Sequence, residues 1–443
     1  MPSILGYNRP RNIRESQGLS NQNTQVASVR ATSPWQGIAP DIDAEHIGPN
    51  SASTMKGLVP RTDISGRGEV LRTFPGFTHI DADYTDSSAS NPARLGDHGS
   101  STEDIVGLEF FPRVNAAGDT SGEFDDTTIA ITAGNGTTPG SAQVWRVRPT
   151  TGLWQEIPHS GDPQTTAISG AYPDTPDGVQ LCDVAVVAFD GSPRTNLSAT
   201  AEGGPLMVFT NNHDPVQVYA VDEEPGVTDS QQNGDYEDLH VAVFGDFKAR
   251  SVELWGDRLN FLNTVESGTR HRQRLRRTAI GNADPDTTND GSGALDFLDF
   301  NGEGLRVESL GNVLACYFED GISFVRRTGQ SASPYTVQTV TTERGLLATH
   351  ALCNLGAGVY FGIFTDGWFY ITENGQFKEV GSVDIEGNPQ NKFTDSFYTR
   401  LQMDKRARID CRYDAVNKWV WITAPFSGAD FNYETWILHS DYC

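Results

Sequence analysis

The sequence predicts an all-β protein: a β-propeller of six or seven blades, six favoured, preceded by an irregular N-terminal arm. Three observations predict it. Four segments, Ser251–Leu262, Val313–Arg327, Gly358–Thr372 and Ala407–Thr423, alternate apolar and polar residues and close on Gly, Asn or Asp turns. They recur roughly every 40 to 50 residues, the spacing of propeller blades. No stretch among them shows a convincing helical period. A double β-sandwich would leave a similar pattern and is the competing architecture.

The repeat is clearest in its turns. Tyr317–Val325 places two apolar runs around Asp320-Gly321, and Tyr360–Ile371 does the same around Asp366-Gly367; Asp-Gly between alternating runs is a strong hairpin signal. Arg412–Ile422 keeps the outline with a longer turn. Upstream, strand-like segments are Val106–Val114, Thr127–Thr132, Gln143–Val147, Val184–Phe189, Leu206–Thr210 and Val216–Val221. Long Gly/Ser/Asp/Thr loops separate them: Thr85–Ser101, Asn115–Asp126, Ser160–Gly178, Asp222–Tyr236 and Asn282–Ser292. Loops of that length are expected to be functional or poorly ordered. The propeller is expected over residues 57–443.

Residues 1–56 differ. They are polar, with Arg9, Arg11, Arg14, Arg30 and Lys56 set against Glu15, Asp41, Asp43 and Glu45. Such a segment cannot bury a core of its own, so it reads as a tail or as an arm ordered against a neighbouring subunit.

Composition narrows the function. With 45 Gly and 23 Pro in 443 residues the chain is turn-rich. Its formal net charge of −25 repels nucleic acid and anionic membranes. No run of 18 apolar residues is present, and the N-terminus has no apolar signal segment, so synthesis in the cytoplasm and no membrane partner are expected. Five widely spaced cysteines, Cys182, Cys316, Cys353, Cys411 and Cys443, read as reduced core thiols without a zinc pattern.

No motif announces catalysis. Nine histidines include no ligand-spaced pair, and His213 falls in a turn between strands. Nucleophile elbows and phosphate loops are absent, and no cofactor is expected. With 58 carboxylates, some glycosidase-like pair is inevitable and carries no information. Asp299–Gly304 resembles a calcium loop, but its twelfth position is Leu310 rather than a glutamate. The sequons at Asn135 and Asn196 have no meaning without secretion. The most unusual run is Thr269–Arg277. As a strand it would project Arg270, Arg272, Arg274 and Arg276 from one face, where they repel unless carboxylates or phosphates face them: acidic side chains of the adjacent strand, an acidic partner surface, or DNA.

The order of short motifs carries a resemblance. Ser33–Ile38 and Pro49–Ala52 stand in the arm; then come Leu71-Arg72-Thr73-Phe74-Pro75-Gly76-Phe77, Trp255-Gly256-Asp257-Arg258-Leu259-Asn260-Phe261, Arg274–Thr278 and Phe364–Phe369. From about Trp35 onward this series resembles the propeller-bearing tail-nozzle (tail-hub, tail-accessory) structural proteins of tailed bacteriophages. Some of those carry large extra domains, for which this chain is short, so the position along the tail stays open. The resemblance implies a non-catalytic virion component, hexameric around the DNA channel, touching adaptor, portal or other tail proteins. Genomic DNA would pass its lumen without specific binding. Arg9, Arg11, Arg14, Trp35, Arg270, Arg272, Arg274 and Arg276 are the candidate contacts to other subunits or acidic partners. The alternatives are a propeller that binds a host receptor, glycan or virion partner, and a glycan-cleaving propeller.

Overall fold

A computed structural model of the chain describes residues 105–111, 127–132, 142–147, 154–157, 181–188, 205–220, 235–239, 244–283, 285, 291–328, 335–380, 392–426 and 434–439, with short strand segments before 105 and between 382 and 390. It is a β-propeller; among the described residues six antiparallel sheets follow one another along the chain as blades. Blade 1 contains β1 (Ile105–Phe111), β2 (Thr127–Thr132), β3 (Val144–Val147) and β4 (Trp154–Ile157). Blade 2 contains β5 (Asp183–Ala188), β6 (Pro205–Thr210), β7 (Gln217–Ala220) and β8 (Asp235–Asp238). Blade 3 contains β9 (Ser251–Leu254), β10 (Leu259–Glu266), β11 (Thr269–Arg277) and β12 (Gly293–Asp296). Blade 4 contains β13 (Gly304–Leu310), β14 (Val313–Phe318), β15 (Ile322–Arg327) and β16 (Tyr335–Thr341). Blade 5 contains β17 (Leu352–Gly356), β18 (Val359–Phe364), β19 (Gly367–Thr372) and β20 (Phe377–Glu379). Blade 6 has three strands, β21 (Asp410–Asp414), β22 (Trp419–Ala424) and β23 (Glu434–His439). Each blade is a meander of neighbouring strands. Nearer the N-terminus, Val29–Arg30, Glu69–Thr73 and Leu58–Thr62 form a further three-stranded sheet in that order.

The period-two pattern explains why the sheets stack. In β14, Leu314, Cys316 and Phe318 enter the core shared with blade 3, while Val313, Ala315 and Tyr317 enter the core shared with blades 5 and 6. In β6, Met207 and Phe209 face blade 1, and Leu206 and Val208 face blade 3. In β14 and β6 both parities are apolar because each serves a different interface. Burial of each such large side chain contributes about 1.5–3 kcal/mol. The first strands stand side by side: β1 with β5, β5 with β9, β9 with β13, and β17 with β21. They form the innermost layer of the array.

The turns expected from the sequence are present. Tyr317 pairs with Ile322, and Phe364 with Gly367 across a two-residue turn at Thr365 and Asp366. Gly321 is fixed by close approach: a Cβ there would lie 2.4 Å from both the Thr341 carbonyl oxygen and the Phe300 ring. The longer turn after Asp414 is held by its carboxylate, which accepts the Val416 and Asn417 amides at 3.0 and 3.1 Å.

Two expectations need correction. Among the described residues from 251 to 423 there is an α-helix, α1 (Lys392–Arg400). Its signal is weak because a single turn-spaced set, Thr394, Phe397 and Leu401, is buried. Phe397 anchors it against Trp368, Phe426 and Trp436 with ring centroids 5.1–5.8 Å apart. The outermost strands β4, β8, β12, β16 and β20 also escaped the sequence reading. They lie at the rim, where water faces them and the apolar alternation fades; in β16 no residue is fully buried.

Cys182, Cys316, Cys353 and Cys411 are buried free thiols, and burial pushes all four above the ordinary thiol range. Among the described residues no helix is long and apolar enough to cross a membrane.

Candidate functional site

Two ion clusters are built on this frame, one on the arginine strand and one where the first strands converge. Arg9, Arg11, Arg14 and Trp35 lie outside the described residues.

The arginine run is β11, between β10 and β12. A bulge interrupts it: Leu262 pairs with Leu275 and Thr264 with His271, so Arg272–Arg274 lie opposite Asn263 alone. Asn263 takes up the distortion at φ 58°. The four arginines consequently form two pairs rather than one even stripe. Arg274 grips Asp296 with two bonds, Nε to Oδ1 at 2.7 Å and Nη2 to Oδ2 at 2.9 Å, and reaches Glu266 at 3.1 Å. Arg276 also holds Glu266 through two donors, both side chains being 6% exposed, and lies over the Phe244 ring at 4.6 Å. Burial pushes the Glu266 pKa up, but bonds from Arg276 and Thr264 and the charges of Arg276 and Arg274 outweigh it and hold it below the usual range. The bond from Arg274 likewise lowers Asp296.

Arg270 and Arg272 share a different carboxylate. Glu303 lies 3.7 Å from Arg270 and 3.3 Å from Arg272, and also takes Arg250 at 3.2 Å. One negative charge thus serves three guanidiniums. Arg270 donates in addition to the Asn212 side-chain oxygen at 3.0 Å. Arg272 is 61% exposed. Beside Arg270 opens a cleft of about 760 Å³ lined by Asn212, His213, Phe244, Lys248, Val265 and others. Its wall is the Asn211–Asp214 turn, where the Asn211 side-chain oxygen accepts the His213 and Asp214 amides at 3.0 and 2.8 Å.

The second cluster joins residues far apart in sequence. Asp183 opens β5 and is buried, and its Oδ2 accepts the Ser251 hydroxyl and, at 2.9 Å, the Val252 amide of β9. Its Oδ1 lies 3.1 Å from Arg306 of β13. Arg306 also donates through Nε to Glu308 at 2.8 Å and through Nη1 to His350 Nδ1 at 3.0 Å. The Ser251 hydroxyl oxygen accepts the Val307 amide at 3.0 Å. Glu253 accepts the Ser309 amide at 3.3 Å. The Tyr360 hydroxyl lies 2.8 Å from the Ser309 carbonyl and 3.2 Å from Glu308. The His350 carbonyl accepts the Cys411 amide at 2.9 Å, which carries the network on to blade 6.

Three acids, Asp183, Glu253 and Glu308, surround one guanidinium. The imbalance favours the neutral form of one of them. Burial, followed by the negative charge of Glu308, pushes the Glu253 carboxyl up to about 8. Burial and then the positive charges of Arg306 and Arg412 hold His350 well below its usual range, so it accepts from Arg306 as a neutral ring. Burial works against the Arg306 charge, but Asp183 and Glu308 outweigh it and raise its pKa. A carboxyl of raised pKa beside a second carboxyl is also the pattern of an acid–base pair. Here Asp183, Ser251, Arg306 and Glu308 bond one another across the blades.

The sequence did not single this cluster out. A signal was present: three first strands carry polar or charged residues two apart, Ser251 with Glu253, Arg306 with Glu308 and Asp410 with Arg412. Period two places each pair on one strand face.

No family model matches the chain, and no curated protein matches it. Among solved structures it is similar to PorZ, described as an essential bacterial surface component of the type-IX secretion system of Porphyromonas gingivalis. The identity is 13% and the TM-score 0.40, over 74% of this chain and 38% of that one. It is also similar to a prolyl endopeptidase at 12% identity and TM-score 0.37, over 84% of this chain and 43% of that one. The chain spans less than half the length of either. Both are β-propeller-containing proteins and both likenesses are distant; the fold assignment rests on the blades themselves.

Proposed function

We propose that this chain is a structural virion protein of a tailed bacteriophage, one copy of a hexameric ring in the tail nozzle, tail hub or head-to-tail connector. The observation that carries the reading is the charge distribution. Four of the five guanidiniums of β11, those of Arg270, Arg272, Arg274 and Arg276, meet carboxylates of their own chain, and Arg277 lies over the Tyr335 ring, so in this reading the strand leaves little charge for phosphate in a chain of net charge −25. A ring of such chains lets DNA slide without holding it. Asp183, Ser251, Arg306 and Glu308 of three first strands bond one another, and the conduit in this reading lies between copies and not along the axis of one propeller. The order of arm, Pro75-Gly76-Phe77 and later hairpins supports the same reading.

Negative-stain or cryo-electron microscopy of the purified chain and of its parent particle tests it. Rings with a central hole, placed at the tail, are expected; dispersed monomers in solution and no ring on the particle overturn it. Salt-sensitive DNA binding by the chain, lost in Arg272→Glu with Arg274→Glu, would overturn the non-binding lumen. A second reading, a non-catalytic module for a host receptor, glycan or virion partner, is favoured by the cleft beside Arg270. Glycan turnover by the purified chain would replace both with an enzyme.

A further inference from the structure

The cleft beside the β10–β11 hairpin has a charge that the rest of the chain does not predict. Lys248 lines it and donates to the His213 carbonyl at 2.6 Å; among the described residues it meets no carboxylate. Arg270 lines it too, and Arg272 stands two residues further along. These cations face Asp246 and Glu303, and Glu303 is already shared with Arg250. A local excess of positive charge therefore borders a cavity in a protein of net charge −25. At physiological salt, charges more than about 8 Å away are largely screened, so an incoming group responds to this patch and not to the whole chain.

The lining is mixed. Phe244 and Val265 give apolar contact, Asn212 and Ser267 give hydrogen-bonding groups, and Gly268 leaves the backbone accessible. A peptide segment bearing Asp or Glu uses every part of it, and a chain with 58 carboxylates carries many such segments. We infer that this cleft receives a carboxylate-bearing segment of a second copy of the chain, with Lys248, Arg270 and Arg272 as its cationic contacts. The inference rests on the ring reading above and names the surface through which copies meet. Arg274 and Arg276 take no part, because Asp296 and Glu266 hold them.

The test compares full-length wild type with Lys248→Glu/Arg272→Glu by mass photometry at about 50 and 500 mM salt. Lys378→Glu/Lys418→Glu, which makes the same charge change elsewhere, is the control. Association of the wild type and the control at low salt is expected, with association at least about tenfold weaker in the cleft variant. Arg272→Gln, at a largely exposed side chain, should weaken association in the same direction without disturbing thermal unfolding. A cleft variant that assembles like wild type overturns the inference and leaves the ring reading standing. A wild type that stays monomeric overturns the second copy as occupant, and binding of decaglutamate then shows which part failed. If decaglutamate binds the wild type and not the variant, the cleft chemistry stands and the ring reading falls; if it binds neither, the cleft falls. Tighter binding of a single-stranded DNA decamer than of decaglutamate overturns the choice of a carboxylate partner.

Discussion

The arginine strand and the inner cluster use the same chemistry, guanidinium on carboxylate, in opposite electrostatic settings. On β11 the cations outnumber their acids, and the acids are held ionised: Glu266 and Asp296 lie below their usual range. Between the first strands the acids outnumber the cation, and Glu253 keeps its proton up to about 8. The two regions therefore respond to pH with opposite signs. Where a folded-state pKa is lowered, the unfolded chain binds more protons, and stability is lost as pH falls below the ordinary carboxylate range. Where it is raised, the folded chain binds more protons, and stability is lost as pH rises from the ordinary glutamate range to about 8. Stability should peak where neither loss is large.

Removal of the inner cation gives the largest expected effect. Arg306→Ala leaves Asp183, with a side chain 3% exposed, and Glu308 without their counter-charge, and should cost about 3 kcal/mol in urea unfolding. A loss below about 1 kcal/mol would mean that water enters the cluster and that the contrast in burial is false.

Arg276→Ala comes next, at about 2 kcal/mol, because Glu266 is equally buried but keeps Arg274 as a partner. An effect as large as that of Arg306→Ala would erase the distinction between a shared and an unshared counter-charge.

Glu253→Gln tests the sign directly. The amide keeps an uncharged acceptor for the Ser309 amide and cannot ionise, so the melting temperature of the variant should stay flatter than that of wild type from pH 5 to about 8. The gain at the upper end is on the order of 1–2 kcal/mol after relaxation of the site. A wild-type curve that rises over this window would show that Glu253 is ionised.

The smallest effect belongs to Arg272→Ala. Its side chain is 61% exposed and shares Glu303 with two other guanidiniums, so stability should change by less than about 0.5 kcal/mol. A larger loss would place Arg272 within the fold rather than at an interaction surface.

The sequence by itself determined the hairpins. Phe364 to Gly367, and Tyr317 to Ile322, could be read because turn residues and strand alternation act over a few neighbours. It also determined that Arg270, Arg272, Arg274 and Arg276 must find anionic groups, carboxylate or phosphate, since four cations on one strand repel. The tertiary structure decided which carboxylates. Glu266 and Asp296 lie on the two strands that flank β11, while Glu303 lies at the edge of blade 4. The bulge at Asn263 split the run between them. It decided α1 as well, through the aromatic pocket around Phe397. Asp183, Glu253, Arg306 and Glu308 became one cluster only when β5, β9 and β13 came side by side. Local propensity is short-ranged, whereas a charge's partner and its loss of water depend on which strands pack together, and that is settled only by burial of the apolar faces between blades.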